Sequence, residues 1–336
     1  MEISVFAGDV GYGGTKYAYR ASSGTIVTGM FPSLAPLAAP RKLSAYDEGM
    51  LRARNVAIVT IDKIEYEVGP DVSLTATHGR TGRVLTDDYA LTNNYAALLF
   101  GAIHLAGVAH IERLVLGLPV HTMEKYANTL KQRFAGVQDY GCGRVTIGTP
   151  KIIPQPLGSL ILASRARGEG FNPIDEHLVI DVGYYTTDWI YAKGFAVDNT
   201  RSGGIPGGAS QIFQHIASLI SRDKGDAVED IELIDKALRE RTTFLFFNED
   251  IDLMPYLKRA EPVIADVVQT IQNNVGKMPS VRSVILSGGG AALYAPVLRR
   301  AFPRLKIEMM ESPCTANARG YLTVGEAGLA RERRLA

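Results

Sequence analysis

Apolar residues occur along this chain in short runs, separated by amphipathic stretches and by turns that contain glycine. Residues 3–7, 113–118 and 177–181 are apolar runs of the length expected for buried strands. Residues 94–106 are apolar on every side and predict a buried helix, whereas residues 123–134 have the one-sided pattern of a surface helix. This alternation of strands with helices predicts a mostly parallel sheet in a layered α/β fold.

The remaining elements continue the alternation through both halves of the chain. Further strands are predicted at residues 16–20, 56–61, 64–68, 188–192 and 283–286, and further helices at 159–167, 209–221, 262–275 and 294–301. The glycine-rich stretch 202–208 is assigned no regular structure. Two stretches with patchy signals, 24–88 and 228–252, interrupt the order and are interpreted as small inserted subdomains.

One four-residue motif occurs twice. Asp9-Val10-Gly11-Tyr12 recurs half a chain length later as Asp181-Val182-Gly183-Tyr184, and each copy follows an apolar strand and enters a second strand. Matched context in both halves predicts a duplicated α/β domain, with the two hairpins facing each other across a cleft. The predicted domains are residues 1–168 with 314–336 (domain I) and residues 169–313 (domain II).

Composition narrows the class of protein. The 336 residues include 36 basic and 35 acidic side chains, a net charge of +1 that argues against a broad nucleic-acid-binding surface. Two cysteines, Cys142 and Cys314, form neither a disulfide framework nor a zinc motif, which fits a reducing cytoplasm. We find no secretory signal and no spanning apolar segment, and therefore expect a cytoplasmic protein without membrane contact.

The repeated hairpins have the composition of phosphate-binding turns. Glycine lets backbone N–H groups approach a phosphate closely, and Gly11, Gly13 and Gly14 provide this in the first turn. In the second turn, Gly183 is followed by the hydroxyl-bearing Thr186 and Thr187. The chain has neither the phosphate loop G-x-x-x-x-G-K-[ST] nor an N-terminal G-x-G-x-x-G, which disfavours those two nucleotide-binding folds.

An aspartate ends the first strand of each hairpin. Because a carboxylate repels phosphate, Asp9 and Asp181 are expected to act through a Mg²⁺ ion and its water shell. Lys16, seven residues after Asp9, would neutralise phosphate oxygens, whereas Asp188 stands at the same spacing in the second hairpin. The two halves have therefore diverged in role.

These residues resemble those of the actin, Hsp70 and sugar-kinase superfamily, which has five characteristic segments. The matching segments are the phosphate loops 9–16 and 181–188, the connecting helices 152–162 and 316–325, and the adenosine loop 284–298. Within the superfamily the chain looks most like the ParM/StbA plasmid-segregation actins and their archaeal relatives. The supporting motifs are Phe31-Pro32-Ser33, Asn93-Asn94-Tyr95 and Gly117-Leu118-Pro119-Val120. The plasmid group labelled protein D of the PRTRC system is one candidate subgroup.

The resemblance implies an actin-like (ribonuclease H-like) fold with an ATP cleft between the duplicated domains, and ATP or ADP with Mg²⁺ as cofactors. It implies that Asp9 and Asp181 hold Mg²⁺ through water and that Gln155 positions the attacking water, so these three residues are the catalytic candidates. The implied nucleotide-binding residues are Gly11, Tyr12, Gly13, Gly14, Thr15, Lys16, Gly183, Thr186, Thr187, Asp188, Gly207, Gly208, Lys236, Gly288, Gly289 and Gly290.

The function implied is ATP hydrolysis coupled to filament formation, with plasmid DNA segregated through a DNA-binding adaptor protein. One alternative is a small-molecule kinase of the same fold, which would need an acidic catalytic base, and no Asp or Glu stands out for that role. The other is a nucleotide-sensing scaffold that neither polymerises nor turns over ATP. The run of phenylalanines within residues 244–247 is interpreted as core or as a subunit contact.

Overall fold

The computed structural model describes residues 1–38, 54–72 and 83–335. The chain divides into two compact units, Met1–Ala166 with Cys314–Ala336 (unit 1) and Arg167–Pro313 (unit 2). Parts of the predicted subdomain 24–88, namely residues 39–53 and 73–82, lie outside the described residues. No helix within the described ranges is both long and apolar enough to span a membrane.

Unit 1 is built on a six-stranded sheet with helices packed against it. Its strands are β1 (Glu2–Val10), β2 (Gly14–Arg20), β3 (Ile26–Pro32), β4 (Ala57–Ile61), β5 (Ile64–Val68), β6 (His110–Leu118), β7 (Gly136–Asp139) and β8 (Arg144–Pro154). Its helices are α1 (Asn93–Leu105), α2 (Met123–Phe134), α3 (Gln155–Arg167, whose last residue is assigned to unit 2) and α8 (Ala316–Leu335). The sheet order is β3-β2-β1-β6-β8-β7, and β4 pairs with β5 separately.

Burial in unit 1 follows position in the sheet. The central strand β1 is buried from Val5 onward, whereas the edge strand β3 alternates between exposed and partly buried residues from Ile26 to Met30 and is buried at Phe31. On one face of the sheet, α8 packs Tyr321 and Leu322 against Val5 and Val115. The carboxyl end of β1, where Asp9 lies, is therefore a buried position next to a helix-covered core.

Unit 2 repeats this plan. Its strands are β9 (Glu176–Val182), β10 (Thr186–Lys193), β11 (Ala196–Pro206), β12 (Phe244–Phe246), β13 (Glu249–Ile251), β14 (Val281–Ser287) and β15 (Ile307–Met309). Its helices are α4 (Ala209–Lys224), α5 (Ile231–Glu240), α6 (Met254–Val275) and α7 (Ala291–Ala301). Its main sheet has the order β11-β10-β9-β14-β15, and β12 and β13 form a separate hairpin.

The two sheets share one topology. In unit 1, β1 pairs antiparallel with β2 and parallel with β6; in unit 2, β9 pairs antiparallel with β10 and parallel with β14. The outer pairs also agree, since β2–β3 and β10–β11 are antiparallel while β6–β8 and β14–β15 are parallel. The prediction of a duplicated α/β fold is confirmed.

Several local predictions were incomplete. The glycine-rich stretch 202–208 is mostly strand, because residues up to Pro206 pair with β10. Helix α6 begins at Met254 rather than at Pro262, with a proline in its first turn where the missing N–H costs nothing. Pro262 therefore lies inside the helix. Residues 144–154 form strand β8, so the connecting segment becomes helical only at Gln155.

Candidate functional site

The first hairpin brings Asp9 and Lys16 together. The two residues are cross-strand partners in the β1–β2 ladder, and Lys16 Nζ lies 3.5 Å from Asp9 Oδ2. The turn is closed by the Gly11 N–H, which donates to the Gly14 carbonyl at 3.2 Å. A Cβ at Gly11 would lie 3.1 Å from Lys16 Nζ, so a side chain there would crowd the lysine.

Residues far along the chain hold this turn in place. Ser33 Oγ donates to the Gly11 carbonyl at 2.5 Å, and the Ser33 N–H donates to the Gly13 carbonyl at 3.1 Å. Arg83 donates to the Tyr12 carbonyl, and the Tyr12 hydroxyl donates to the Thr86 carbonyl at 3.0 Å. The carbonyl groups of the turn thus accept hydrogen bonds from other residues of the protein. These bonds fix the backbone of the turn and, with it, the direction of the turn's N–H groups.

Gln155 completes a buried cluster in unit 1. It is the first residue of α3, and its Nε2 donates to Asp9 Oδ1 at 3.2 Å. Asp9 therefore contacts the Lys16 cation through one carboxylate oxygen and the Gln155 amide through the other. Asp9 is 4% exposed and Gln155 is 8% exposed, so both are buried. Three of the residues proposed from sequence thus meet at one point of unit 1.

The position of Gln155 depends on how closely α3 approaches α8. A Cβ at Gly320 would lie only 1.9 Å from the Gly158 carbonyl oxygen, so the two backbones are in direct contact. Ser159 Oγ donates to Asn317 Oδ1 at 2.6 Å in the same buried crossing. The Tyr321 hydroxyl donates to the Gln155 carbonyl at 3.3 Å and ties the first turn of α3 to α8.

The second hairpin has the same backbone and a different charge. The Gly183 N–H donates to the Thr186 carbonyl at 2.9 Å, as Gly11 does to Gly14. The cross-strand partner of Asp181 is Asp188, and both carboxylates are buried, at 7% and 1% exposure. Where unit 1 sets a lysine opposite the aspartate, unit 2 sets a second carboxylate.

The start of α4 packs directly on this hairpin. The N–H groups of Gly207 and Gly208 both donate to the Tyr185 carbonyl at 3.0 Å, and Thr187 Oγ1 donates to the Gly207 carbonyl at 2.7 Å. A Cβ at Gly208 would lie 2.5 Å from the Tyr184 backbone. Close backbone packing therefore accounts for glycine at this position.

The glycine triplet 288–290 lies against the end of β9. Gly288 has a φ of +88°, and a Cβ there would lie 2.2 Å from the Val182 carbonyl oxygen and 2.6 Å from Asp181 Oδ1. The Gly290 N–H donates to the Val182 carbonyl at 2.9 Å, and Ser287 Oγ donates to Asp181 Oδ1 at 3.3 Å. The triplet is thus adjacent to the carboxylate of the second hairpin.

Helix α5 is linked to the same hairpin through Tyr184, whose hydroxyl donates to Glu232 Oε1 at 2.6 Å. Lys236 follows one turn later on α5 and is exposed. Asp235 forms an i,i+4 ion pair with Arg239 at 3.1 Å, and this contact lies within α5. The contact between α5 and the hairpin is thus made by Glu232, one turn before the predicted Lys236.

The carboxylates fit a magnesium ion held mainly by water and phosphate oxygens. Mg²⁺ retains several waters and commonly uses only one or two protein carboxylates. Within the described ranges, no group of three or more His, Cys, Asp or Glu side chains could cage a metal ion.

Comparisons with known proteins match each unit to a domain of actin homologues. A family model described as the N-terminal domain of actin-like proteins matches residues 7–158, and one described as the C-terminal domain of an archaeal, MreB-like actin homologue matches residues 179–300. No curated protein sequence matches the chain.

Solved structures extend the likeness over nearly the whole chain. Ta0583, an archaeal actin homologue, is similar with a TM-score of 0.77 and 20% identity over 97% of this chain and 100% of that chain. Its complex with ADP gives a TM-score of 0.70 at 20% identity with the same coverage. A ParM filament from Clostridium botulinum gives a TM-score of 0.75 and 19% identity over 97% of this chain and 100% of that chain.

Two α/β units of one topology, each with an Asp-Val-Gly-Tyr hairpin at the same place in its sheet, define an actin-like fold. The chain belongs to the actin-like proteins, and ParM and an archaeal actin homologue are among its structural neighbours. The resemblance seen in the sequence is confirmed at this level. The narrower PRTRC subgroup stays a prediction.

Sequence reasoning missed the residues that support the site. Ser33, Arg83 and Tyr89 contact the first hairpin from later segments, and Ser287 contacts Asp181. Two of them carried a usable signal. Ser33 ends the Phe-Pro-Ser motif that marked the resemblance, and Ser287 directly precedes the glycine triplet.

Proposed function

We propose that this protein binds ATP and ADP with Mg²⁺ through its two repeated hairpins and hydrolyses ATP. The observation that carries the proposal is the duplication: a buried aspartate ends the central strand of each sheet and is followed by a glycine-closed turn. A small-molecule site is expected at the carboxyl ends of the strands in an open α/β sheet.

In the proposed mechanism, the backbone N–H groups of the turns bind phosphate oxygens. Gly13 and Gly14 would serve in the first turn, and the Thr186 hydroxyl in the second. The N–H groups of Gly11 and Gly183 close their turns, and the Thr187 hydroxyl donates to the Gly207 carbonyl, so these groups would shape the site. Lys16 would balance phosphate charge. When bound, Mg²⁺ would neutralise charge at the phosphates. Asp9 and Asp181 would orient the water molecules bound to it.

Gln155 is proposed to orient the attacking water. A glutamine amide is not a strong base, but it both donates and accepts hydrogen bonds, and positioning contributes much of the catalysis of phosphoryl transfer. Its contact with Asp9 supports this role because it places the amide beside the carboxylate that is proposed to organise Mg²⁺.

The base and ribose are proposed to lie near the glycine triplet 288–290, Gly207, Gly208 and Lys236. The structural neighbour Ta0583 has been solved in complex with ADP, which supports a nucleotide as the ligand class.

Filament formation is the second part of the proposal. A structural neighbour is a ParM filament, which supports self-association of this chain. With a net charge of +1 the protein is not expected to bind DNA broadly, so we propose that an adaptor protein links its filament to plasmid DNA in the cytoplasm.

Gln155→Ala tests the enzymatic proposal. We expect near-normal ATP affinity with hydrolysis lowered by about 10- to 1,000-fold, because one positioning group is lost while the phosphate-binding turns remain. Nucleotide titration combined with a phosphate-release assay separates the two quantities. Gln138→Ala, which removes another amide side chain of unit 1, is the matched control and should hydrolyse ATP normally. Unchanged turnover of bound ATP in Gln155→Ala would contradict the assignment.

A further inference from the structure

A small pocket in unit 1 adjoins the Asp9–Gln155 cluster. It is lined by Tyr12, Tyr89, Tyr95, Thr122 and Gln155, among others, and has a volume of about 10 Å³. This is about the smallest space that holds one water molecule. The pocket wall is mostly apolar, and its lining includes tyrosine, threonine and glutamine side chains that carry polar groups. A buried water needs such groups because it must make two or more hydrogen bonds.

Tyr95, one of the residues that line this pocket, has an unsatisfied hydroxyl. Tyr95 is only 1% exposed, and its hydroxyl has no hydrogen-bond partner among the residues that the structure describes. A buried polar atom without a partner destabilises a fold, so such an atom usually marks a bound water or ligand. Burial, with smaller contributions from Tyr89 and Asp9, raises the pKa of Tyr95, so the hydroxyl stays protonated and can donate.

Tyr95 cannot turn away from the pocket. Its N–H donates to Thr92 Oγ1 at 3.2 Å, which caps α1 and fixes the backbone. Its ring meets Tyr89 edge-on at 5.4 Å between centroids and packs against Phe134 at 6.1 Å. The ring of this lining residue, and with it the hydroxyl, is therefore held in one orientation.

The Gln155 amide offers the complementary atom. Because its Nε2 donates to Asp9, the amide is oriented with Oε1 as its acceptor for another donor. We propose that the pocket binds one water molecule, which accepts a hydrogen bond from the Tyr95 hydroxyl and donates one to Gln155 Oε1. Tyr95 is then a positioning residue that acts through Gln155. The catalytic consequence rests on the proposed ATPase function; the water site does not.

A double-mutant cycle between Tyr95→Phe and Gln155→Ala tests the proposal. Tyr95→Phe keeps the ring and removes only the hydroxyl. If the hydroxyl binds water, its loss should lower Tm by about 1–3 °C, and this loss should largely vanish in the Gln155→Ala background. Tyr140→Phe removes another buried tyrosine hydroxyl of unit 1 outside the pocket, and its effect on Tm should be the same in both backgrounds.

Two results would overturn the proposal. An unchanged or higher Tm for Tyr95→Phe means that the hydroxyl binds no water, and equal losses in both backgrounds mean that the water does not reach Gln155. Neither result depends on activity, so an inactive wild-type protein would count against the ATPase alone.

The kinetic arm uses the active enzyme. Tyr95→Phe should lower kcat by about 3- to 10-fold with KM for ATP unchanged, and it should have no further effect in the Gln155→Ala background. An unchanged kcat in an enzyme that does depend on Gln155 would overturn the positioning role.

Discussion

At the scale of residues, the two hairpins share a backbone and differ in charge. The cross-strand partner of Asp9 is Lys16, whereas that of Asp181 is Asp188. The three aspartates are buried, and the Lys16 side chain is largely buried. A buried cation suits direct contact with phosphate, and a pair of carboxylates suits the neighbourhood of a divalent ion. We infer that the copies have diverged: both aspartates would face the hydrated cation, and the first hairpin alone adds a lysine for the phosphates.

The residues of the motif could be predicted from sequence, but the distant residues that contact and hold them could not. The sequence identifies Asp9, Lys16 and Gln155 as candidates, and the fold brings them together. Arg83 and Tyr89, in contrast, reach the first turn from more than seventy positions away, and no local pattern records such a contact. Gly208 and Gly288 were assigned to the ligand alone, yet backbone packing also requires glycine there.

At the scale of elements, the strands that sequence reasoning missed lie mostly at sheet edges. β3 and β7 are the edges of the first sheet, and β11 and β15 are the edges of the second. Central strands are buried on both faces and read as apolar runs, whereas an edge strand is partly exposed, and its pairing depends on a distant partner. The sequence therefore predicted the centre of each sheet better than its borders.

The α3–α8 crossing gives a prediction about stability. Gly320→Ala should lower the free energy of unfolding by about 2–3 kcal/mol, because its Cβ would overlap the Gly158 carbonyl and push the helices apart. Gly328→Ala, in the same helix, is the control. Its Cβ would meet the end of the Arg113 side chain, and we expect a change within about 1 kcal/mol.

Urea denaturation of the wild type and of both variants measures the change in the free energy of unfolding. Equal stabilities would show that the crossing tolerates a side chain. Because Gln155 begins α3, we also expect Gly320→Ala to lose hydrolysis at temperatures where it remains folded.

At the scale of the whole molecule, the likeness to a ParM filament raises the question of assembly. Contacts that join unlike surfaces of successive subunits do not close on themselves and propagate into a filament. We expect sedimentable polymer above a sharp critical concentration in Mg-ATP or a non-hydrolysable analogue, and less stable polymer in ADP.

Light scattering and sedimentation over a range of protein concentrations test this, with nucleotide-free protein as the control. A protein that stays monomeric at tens of micromolar in Mg-ATP would refute the filament proposal. The nucleotide site would survive that result, and a nucleotide-sensing scaffold would become the better description.

The central claim is that the duplicated hairpins together serve one nucleotide, and calorimetric titration with Mg-ATP or Mg-ADP tests it most directly. We predict one nucleotide per chain, with binding weakened at least 10-fold by Asp9→Ala and also by Asp181→Ala. Asp139→Ala and Asp250→Ala, which remove exposed carboxylates from unit 1 and unit 2, should bind as wild type. A stoichiometry of two, or undiminished affinity when either hairpin aspartate is removed, would contradict the account.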